Sequence, residues 1–345
     1  MTILIKNAKI VTQNDDRKIV HGDILIKDNR IEEVGGDIRE KADETIDAKG
    51  KVAIPGLVNS HTHIAMGLLR GYGEDLSLHE WLEQKIWPAE AKLTKNDIRW
   101  GSLLGMLECI RSGVTAFNEM YIHHVEETVH AAQEAGIRVS IPRAMFDLMP
   151  GRETKKELAD ASAFIRLLKE KKDHLAYPIV SCHAPYTCSE ELLIKAKELA
   201  NREKLKFHIH LSETRKEMFD ILNSKGKYPF EYMDSIGLLD GNSIFAHAGW
   251  VTKREIALAG KKKANIAHCT TSNLKLATGG ICPIYEFDKA GANVTIGTDG
   301  AASNNTLDMF EEMKIATLLQ KHQYWKAEIV PVNLVFDFAT RNGAK

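Results

Sequence analysis

Apolar and polar positions are arranged in two different ways along this chain, and the change falls near Pro55. Before it, Ile3-Leu4-Ile5, Lys9-Ile10-Val11, Asp23-Ile24-Leu25-Ile26-Lys27 and Arg30-Ile31-Glu32-Glu33-Val34 are short apolar-rich runs separated by turn residues. Runs of this length predict strands, and Asp28-Asn29 between the last two predicts a hairpin. A few strands with one apolar face do not stand alone, so residues 1–54 are expected to form a small β domain that packs either against the main domain or against strands from elsewhere in the chain, as part of a sandwich. From residue 55 to 345, short β-branched runs alternate with longer helical stretches such as Asp97–Arg111 and Glu190–Glu203, the pattern of repeated βα units.

The ends of those short runs carry the information, because one after another closes on a chemically capable side chain. They are Val58–His63, Val114–Glu119, Ile141–Arg143, Ile179–His183, Phe207–His210, Ile244–His247, Ile266–His268 and Val294–Asp299. Eight parallel strands alternating with helices close into an α/β barrel of the (β/α)8, TIM-like kind, whose active site lies at the carboxyl ends of the strands. A doubly wound open sheet is the alternative, but no Gly-rich phosphate loop opens any of the helices.

Composition narrows the partners. The 345 residues are 44% hydrophobic and 27% charged with a formal net charge of -1. Lys and Arg are not clustered with aromatics, so neither nucleic acid nor an anionic membrane is expected as a partner. The run Lys261-Lys262-Lys263 reads as a solvated helix end. Cys109, Cys182, Cys188, Cys269 and Cys282 show neither CxxC pairing nor disulfide-framework spacing, which suits a reducing cytoplasm. No apolar run approaches the roughly 18 residues of a membrane span, and the N-terminus lacks the apolar core of a signal peptide. A cytoplasmic location is the expectation.

His61-Thr62-His63 places two imidazoles two residues apart, and on a strand that spacing points both to one face. A lone HxH is about as often a chance pair. His210, His247 and Asp299 end other βα units, however, and a barrel gathers all such ends on one rim. Nitrogen and oxygen donors of this kind suit one divalent ion, zinc by default for a redox-silent site, with iron or manganese as alternatives. His208, two before His210, either packs or supports the site. Glu213 follows His210 by three and is placed beside the metal rather than on it, the position of a proton shuttle; the bland reading is a helix-start glutamate.

With these residues in place the sequence resembles the amidohydrolase superfamily, and within it the S-adenosylhomocysteine, 5'-methylthioadenosine and 5'-deoxyadenosine deaminases. The resemblance rests on Pro55–His63, Glu80-Trp81-Leu82, Trp87–Glu90, His208–Glu213, Phe245–His247 and Gly297–Asn305. It implies a metal held by His61, His63, His210 and Asp299, with His247 orienting a water. It further implies that Asp299 takes a proton from that water as C6 of the purine is attacked, while Glu213 protonates N1. By the same resemblance Glu90 receives the ribose hydroxyls, Trp81 lies against the ligand and His183 hydrogen-bonds the nucleoside. Arg143 and Arg152 match arginines that hold a homocysteine carboxylate, a task suited to a guanidinium fork. Trp81 packed on a helix face and Arg152 simply solvated are the plain alternatives.

Members of that family continue past Thr340–Lys345 through strands that complete the small N-terminal sheet. The expectation is therefore a truncated product or a chain that leans on a partner subunit, and a homo-oligomer is expected. Rival functions are another amidohydrolase, a guanine deaminase or triazine-type chlorohydrolase, and a non-catalytic metal- or nucleoside-binding protein.

Overall fold

The computed structural model describes residues 1–171 and 174–345, which divide into two compact units, Met1–Gly56 and Leu57–Lys345.

In the first unit, strands β1 (Thr2–Val11), β2 (Ile19–Lys27), β3 (Arg30–Val34), β4 (Glu44–Asp47) and β5 (Val52–Ala53) form one mixed sheet. Its order is β3-β2-β1-β4, with β5 also beside β1. The Asp28-Asn29 hairpin is present, with Lys27 opposite Arg30. Ile3–Ile5 and Lys9–Val11, expected as separate strands, belong to the single strand β1. The reason is a bulge between Ile5 and Ala8, where Asn7 takes a φ of 63°. The extra residue changes which parity faces which side. Leu4 packs with Leu25 and Ile38 on one side, whereas Ala8 and Ile10 pack with Ile24 on the other. Asp23, buried, pins the bulge by accepting from the amides of Asn7 at 2.9 Å and Ile38 at 3.0 Å.

The second unit is a (β/α)8 barrel. Its strands are β6 (Leu57–Thr62), β7 (Val114–Glu119), β8 (Arg138–Ile141), β9 (Ala176–Pro178), β10 (Val180–Ser181), β11 (Phe207–Leu211), β12 (Ser243–His247), β13 (Asn265–His268) and β14 (Asn293–Ile296). All pairings in β6-β7-β8-β9 and in β10-β11-β12-β13-β14 are parallel. β9 and β10 flank Ile179 and together make one barrel strand. Between β14 and β6 the wall closes through Asp299 N–H donating to the His61 carbonyl at 3.0 Å. The Asn59 side chain adds two bonds to Thr298, at 2.7 and 3.0 Å. One of the three bonds at this seam thus joins two site residues directly.

Helices follow the strands, and their starts are chemically marked. Thr94, Ser189, Thr214, Thr252 and Asp308 each accept a backbone amide in the first turn of the helix they cap. Phe117, Phe207 and Phe245 are almost fully buried on the strands, and Phe230 and Phe287 meet Phe245 or one another from flanking helices. Each such side chain contributes about 1.5–3 kcal/mol through burial, which fixes the strands that carry the rim. Lys261–Lys263 do lie exposed at the end of a helix. Among the described residues no helix is long and apolar enough to cross a membrane.

Candidate active site

His61 ends its strand on the barrel's inner face and is fully buried; His63 follows just beyond it. His210 from β11, His247 from β12 and Asp299 beyond β14 converge on the same point. His61 Nε2 lies 3.1 Å from His210 Nε2 and 3.4 Å from Asp299 Oδ1, while His63 Nε2 lies 3.1 Å from the same oxygen. Donor atoms of His61, His210 and His247 fall within 4.8 Å of one another, and so do those of His61, His63 and Asp299. His61 is common to both groups. His247, expected only to orient a water, thus joins the donor group, although its ring centre is 5.4 Å from that of His61 against 4.8 Å for His210.

The backbone is bent to make this possible. Ser212, His247, Ala248 and Asp299 take φ values of 56°, 76°, 49° and 62°, a left-handed conformation that non-glycine residues rarely adopt. Such turns at strand ends swing the following residues off the barrel wall, and they concentrate at functional sites.

Partners hold each ring and carboxylate in place. His61 Nδ1 is 3.0 Å from His208 Nε2, whose other nitrogen is 3.1 Å from the Asn118 amide. His208 therefore supports the site. His63 Nδ1 meets the Met120 carbonyl. Asp299 Oδ2 accepts from the hydroxyls of Ser272 at 2.6 Å and Ser303 at 3.1 Å, and His247 Nδ1 pairs with Asn273 Oδ1 at 2.9 Å.

The electrostatics match a cation. Burial drives His61 down to about 4 and His210 well below its ordinary range, so both rings are neutral donors. Burial works against the charge of Asp299, but His61 and His63 hold it well below the usual carboxylate range. For His63, burial is outweighed by the Asp299 carboxylate and the ring is raised to about 9. It holds a proton that a metal must displace, a coupling typical of metal sites. The neutral rings of His61 and His210, with His63 once it gives up its proton, around an ionised, doubly hydroxyl-bonded carboxylate fit a divalent nitrogen- and oxygen-bound ion.

Glu213 stands beside this cluster, its Oε1 3.8 Å from His247 Nε2. Burial first, and then the Asp299 charge, raise its pKa to about 8. Its loop is shaped by Glu217, which accepts from the amides of Ser212 at 2.8 Å and Glu213 at 3.0 Å.

A cavity of about 620 Å³, counting its open mouth, is lined by His63, His183, His210, Glu213, His247 and Asp299 at one end. Trp81 and Glu90 line it too. They are nine residues apart, about 2.5 turns of a regular α-helix and hence opposite faces. Between them Leu82–Ile86 form a wider π turn, which takes up extra residues and rotates Glu90 back towards the face of Trp81. Glu90 is buried, which raises its pKa, and Tyr121 beside it acts in the opposite direction. Desolvation, and then the neighbouring imidazoles, lower the pKa of His183 to about 3, and its Nδ1 is 2.9 Å from Thr187 Oγ1.

Arg143 and Arg152 are not on the cavity wall; among the described residues no lysine or arginine is. Arg152 pairs with Glu157 at 2.8 Å and Arg143 faces Asp160 at 3.7 Å. Sequence reasoning also missed Asn118, Ser272, Asn273 and Ser303. The run Ser272-Asn273, just past the β13 strand end, was the one available signal. All five cysteines are free and buried.

A parallel barrel with a histidine and aspartate donor cluster at its strand ends, beside a buried proton-bearing carboxyl, is the architecture of a metal-dependent hydrolase. Residues 52–345 match the amidohydrolase family, and the chain belongs to that family. It is 46% identical over 343 residues to a protein from Methanothrix thermoacetophila named 5'-deoxyadenosine deaminase, covering 99% of this chain and 80% of that one. A protein from Thermococcus sibiricus named 5-methylthioadenosine/S-adenosylhomocysteine deaminase is 42% identical over 345 residues, 100% and 81% of the two chains. The crystal structure of an adenosine deaminase from Xanthomonas campestris with bound zinc superposes with a TM-score of 0.92 at 30% identity, covering 99% and 79%.

Proposed function

We propose that this chain is an adenosine-type nucleoside deaminase, converting the 6-amino purine to the inosine form with release of ammonia. The observation that carries the reading is Glu213, a buried carboxyl that keeps its proton near neutral pH at the edge of the donor cluster and inside the cavity. His61, His63, His210 and Asp299 would hold the metal, with zinc the first candidate. When bound, the ion supplies Lewis acidity near neutral pH.

The remaining work belongs to side chains. Glu213 carries the proton for purine N1, so that the ring accepts electrons when C6 is attacked. Its aim is fixed by Glu217 through the two amides. Asp299, kept ionised, receives the proton of the attacking water at a carboxylate oxygen, and Ser272 and Ser303 keep that carboxylate oriented. His247, tethered to Asn273, orients the water from the other side. Glu90 receives the ribose hydroxyls, Trp81 forms an apolar wall and His183 reaches the nucleoside.

The test is loss of adenine absorbance with ammonia release on a panel of adenosine, 5'-deoxyadenosine, 5'-methylthioadenosine and S-adenosylhomocysteine. No change with any of the four in metal-loaded protein overturns the reading. Glu213→Gln is expected to lower kcat by about 10²–10⁴-fold with metal content near wild type. Surviving activity would remove Glu213 from the mechanism.

A further inference from the structure

Resting on the deaminase reading, we propose that Glu157 and Asp160 set the substrate preference of this site. By holding the two rim arginines, they favour nucleosides with a small uncharged 5' group over those with an amino-acid carboxylate. The reacting amino group must lie at the donor cluster, so the 5' end of a nucleoside points away from it, towards the mouth. The lining of the cavity includes Leu78, Leu82 and Ile122 and, among the described residues, no lysine or arginine that could meet a ligand carboxylate. Arg143 and Arg152 stand outside that lining. Both arginines act on His123, which follows the cavity residues Tyr121 and Ile122, and with burial they lower its pKa.

Arg152 lies over the Phe146 ring at 4.4 Å, and Phe146 in turn lies against His183 of the cavity, with ring centres 6.4 Å apart. The guanidinium is thus one aromatic layer removed from the cavity, and Glu157 pins it there through a 2.8 Å bond. Glu157 is only 3% exposed. A ligand carboxylate that drew Arg152 inward would leave the Glu157 carboxylate buried without its partner, an arrangement that costs more than the new contact returns. Arg143 faces Asp160 more loosely, at 3.7 Å, and that partly exposed carboxyl also holds Lys156 at 2.6 Å. That carboxyl is lowered first by Lys156 and then by both arginines.

The experiment compares kcat/KM for 5'-deoxyadenosine and S-adenosylhomocysteine in wild type, Glu157→Gln and Asp160→Asn. Wild type is expected to favour 5'-deoxyadenosine by about tenfold or more, the worth of one unmade charge-assisted contact. Glu157→Gln releases Arg152 and should shift the ratio about tenfold towards S-adenosylhomocysteine, with 5'-deoxyadenosine turnover within about twofold of wild type. Asp160→Asn, at a partly exposed carboxylate that tolerates substitution, should shift the ratio in the same direction and carries the test if Glu157→Gln does not fold. A wild type that prefers S-adenosylhomocysteine, or a ratio unmoved in the folded variants, overturns the inference while leaving the deaminase reading intact. Absence of deamination with every nucleoside instead overturns the reading beneath it.

Discussion

Gly297 sits between the end of β14 and Asp299, where the barrel wall closes against His61, and replacing it by alanine tests whether that seam sets the metal geometry. A Cβ on Gly297 falls 2.8 Å from both the nitrogen and the oxygen of His61 and 2.9 Å from its Cβ. Ordinary contact begins at 3.4 Å, so the methyl overlaps by about 0.6 Å. The main obstacles are backbone, which no rotamer change can move aside. The strand must shift, at a cost of about 1–3 kcal/mol for overpacking. At roughly 1.5 °C per kcal/mol for a chain of this length, Tm should fall by about 1.5–5 °C.

A displacement of that size at His61 and Asp299 should also weaken metal binding, by about 10–100-fold. Chelator competition and thermal melting of metal-loaded and metal-stripped protein read both effects. Two comparisons separate them. Gly260→Ala overlaps the Ala290 backbone more severely but joins two helices rather than the seam, so it should cost more stability and leave metal affinity near wild type. Gly67→Ala meets the Gly101 carbonyl at 3.6 Å and the Gly105 nitrogen at 3.9 Å, both ordinary contacts, and should be close to neutral. Metal affinity within about twofold of wild type in Gly297→Ala would refute the reasoning.

Three further outcomes are expected. His208→Phe keeps a planar ring but removes the partner of His61 Nδ1, so metal affinity should fall by about 10–100-fold in chelator competition while the fold persists. Asn273→Ala frees His247 and should lower kcat by about 10–100-fold with metal content unchanged; loss of metal instead would make His247 a ligand. Burial raises Glu312 from 4.5 to about 7, so between those values the folded state binds the proton that the unfolded state has lost, and stability falls as pH rises through that window. The loss is about 3 kcal/mol at most, and in urea unfolding at pH 5 and 7.5 Glu312→Gln should show a flatter pH dependence than wild type; parallel profiles would refute it.

The donor cluster was legible because its logic is local. His61 and His63 share a face by spacing alone, and each other donor closes an apolar run that reads as a strand. The barrel then does the gathering. The supporting roles of Asn118 and Ser303 were not legible, since a lone polar residue acquires meaning only when the fold brings it to a partner, 90 residues away for Asn118 and His208. The π turn at Leu82–Ile86 left no mark either, because nothing in those residue types departs from an ordinary helix, yet it sets how Trp81 and Glu90 face the cavity. For Arg143 and Arg152 the resemblance implied a ligand carboxylate as partner, and the structure places each beside a carboxylate of the chain, outside the cavity lining. Their loop path, which residue types do not specify, delivers them to Asp160 and Glu157.

That division has a physical basis. The donors lie at strand ends joined across the barrel, and the strain at His247 and Asp299 is offset by bonds from the same wall, among them the Gly300 amide to Asp299 Oδ1 at 2.9 Å. A change there moves several ligands together, which is why the Gly297 variant is expected to lose metal and stability at once. The rim carboxylates lie on the helix Thr154–Lys171, which supplies no metal donor. A change at Glu157 can alter which nucleoside is favoured without touching the reaction. Measuring metal affinity beside the substrate ratio in Glu157→Gln tests that separation directly: an unchanged affinity with a shifted ratio supports it, and a joint loss would mean that rim and donor cluster are mechanically one unit.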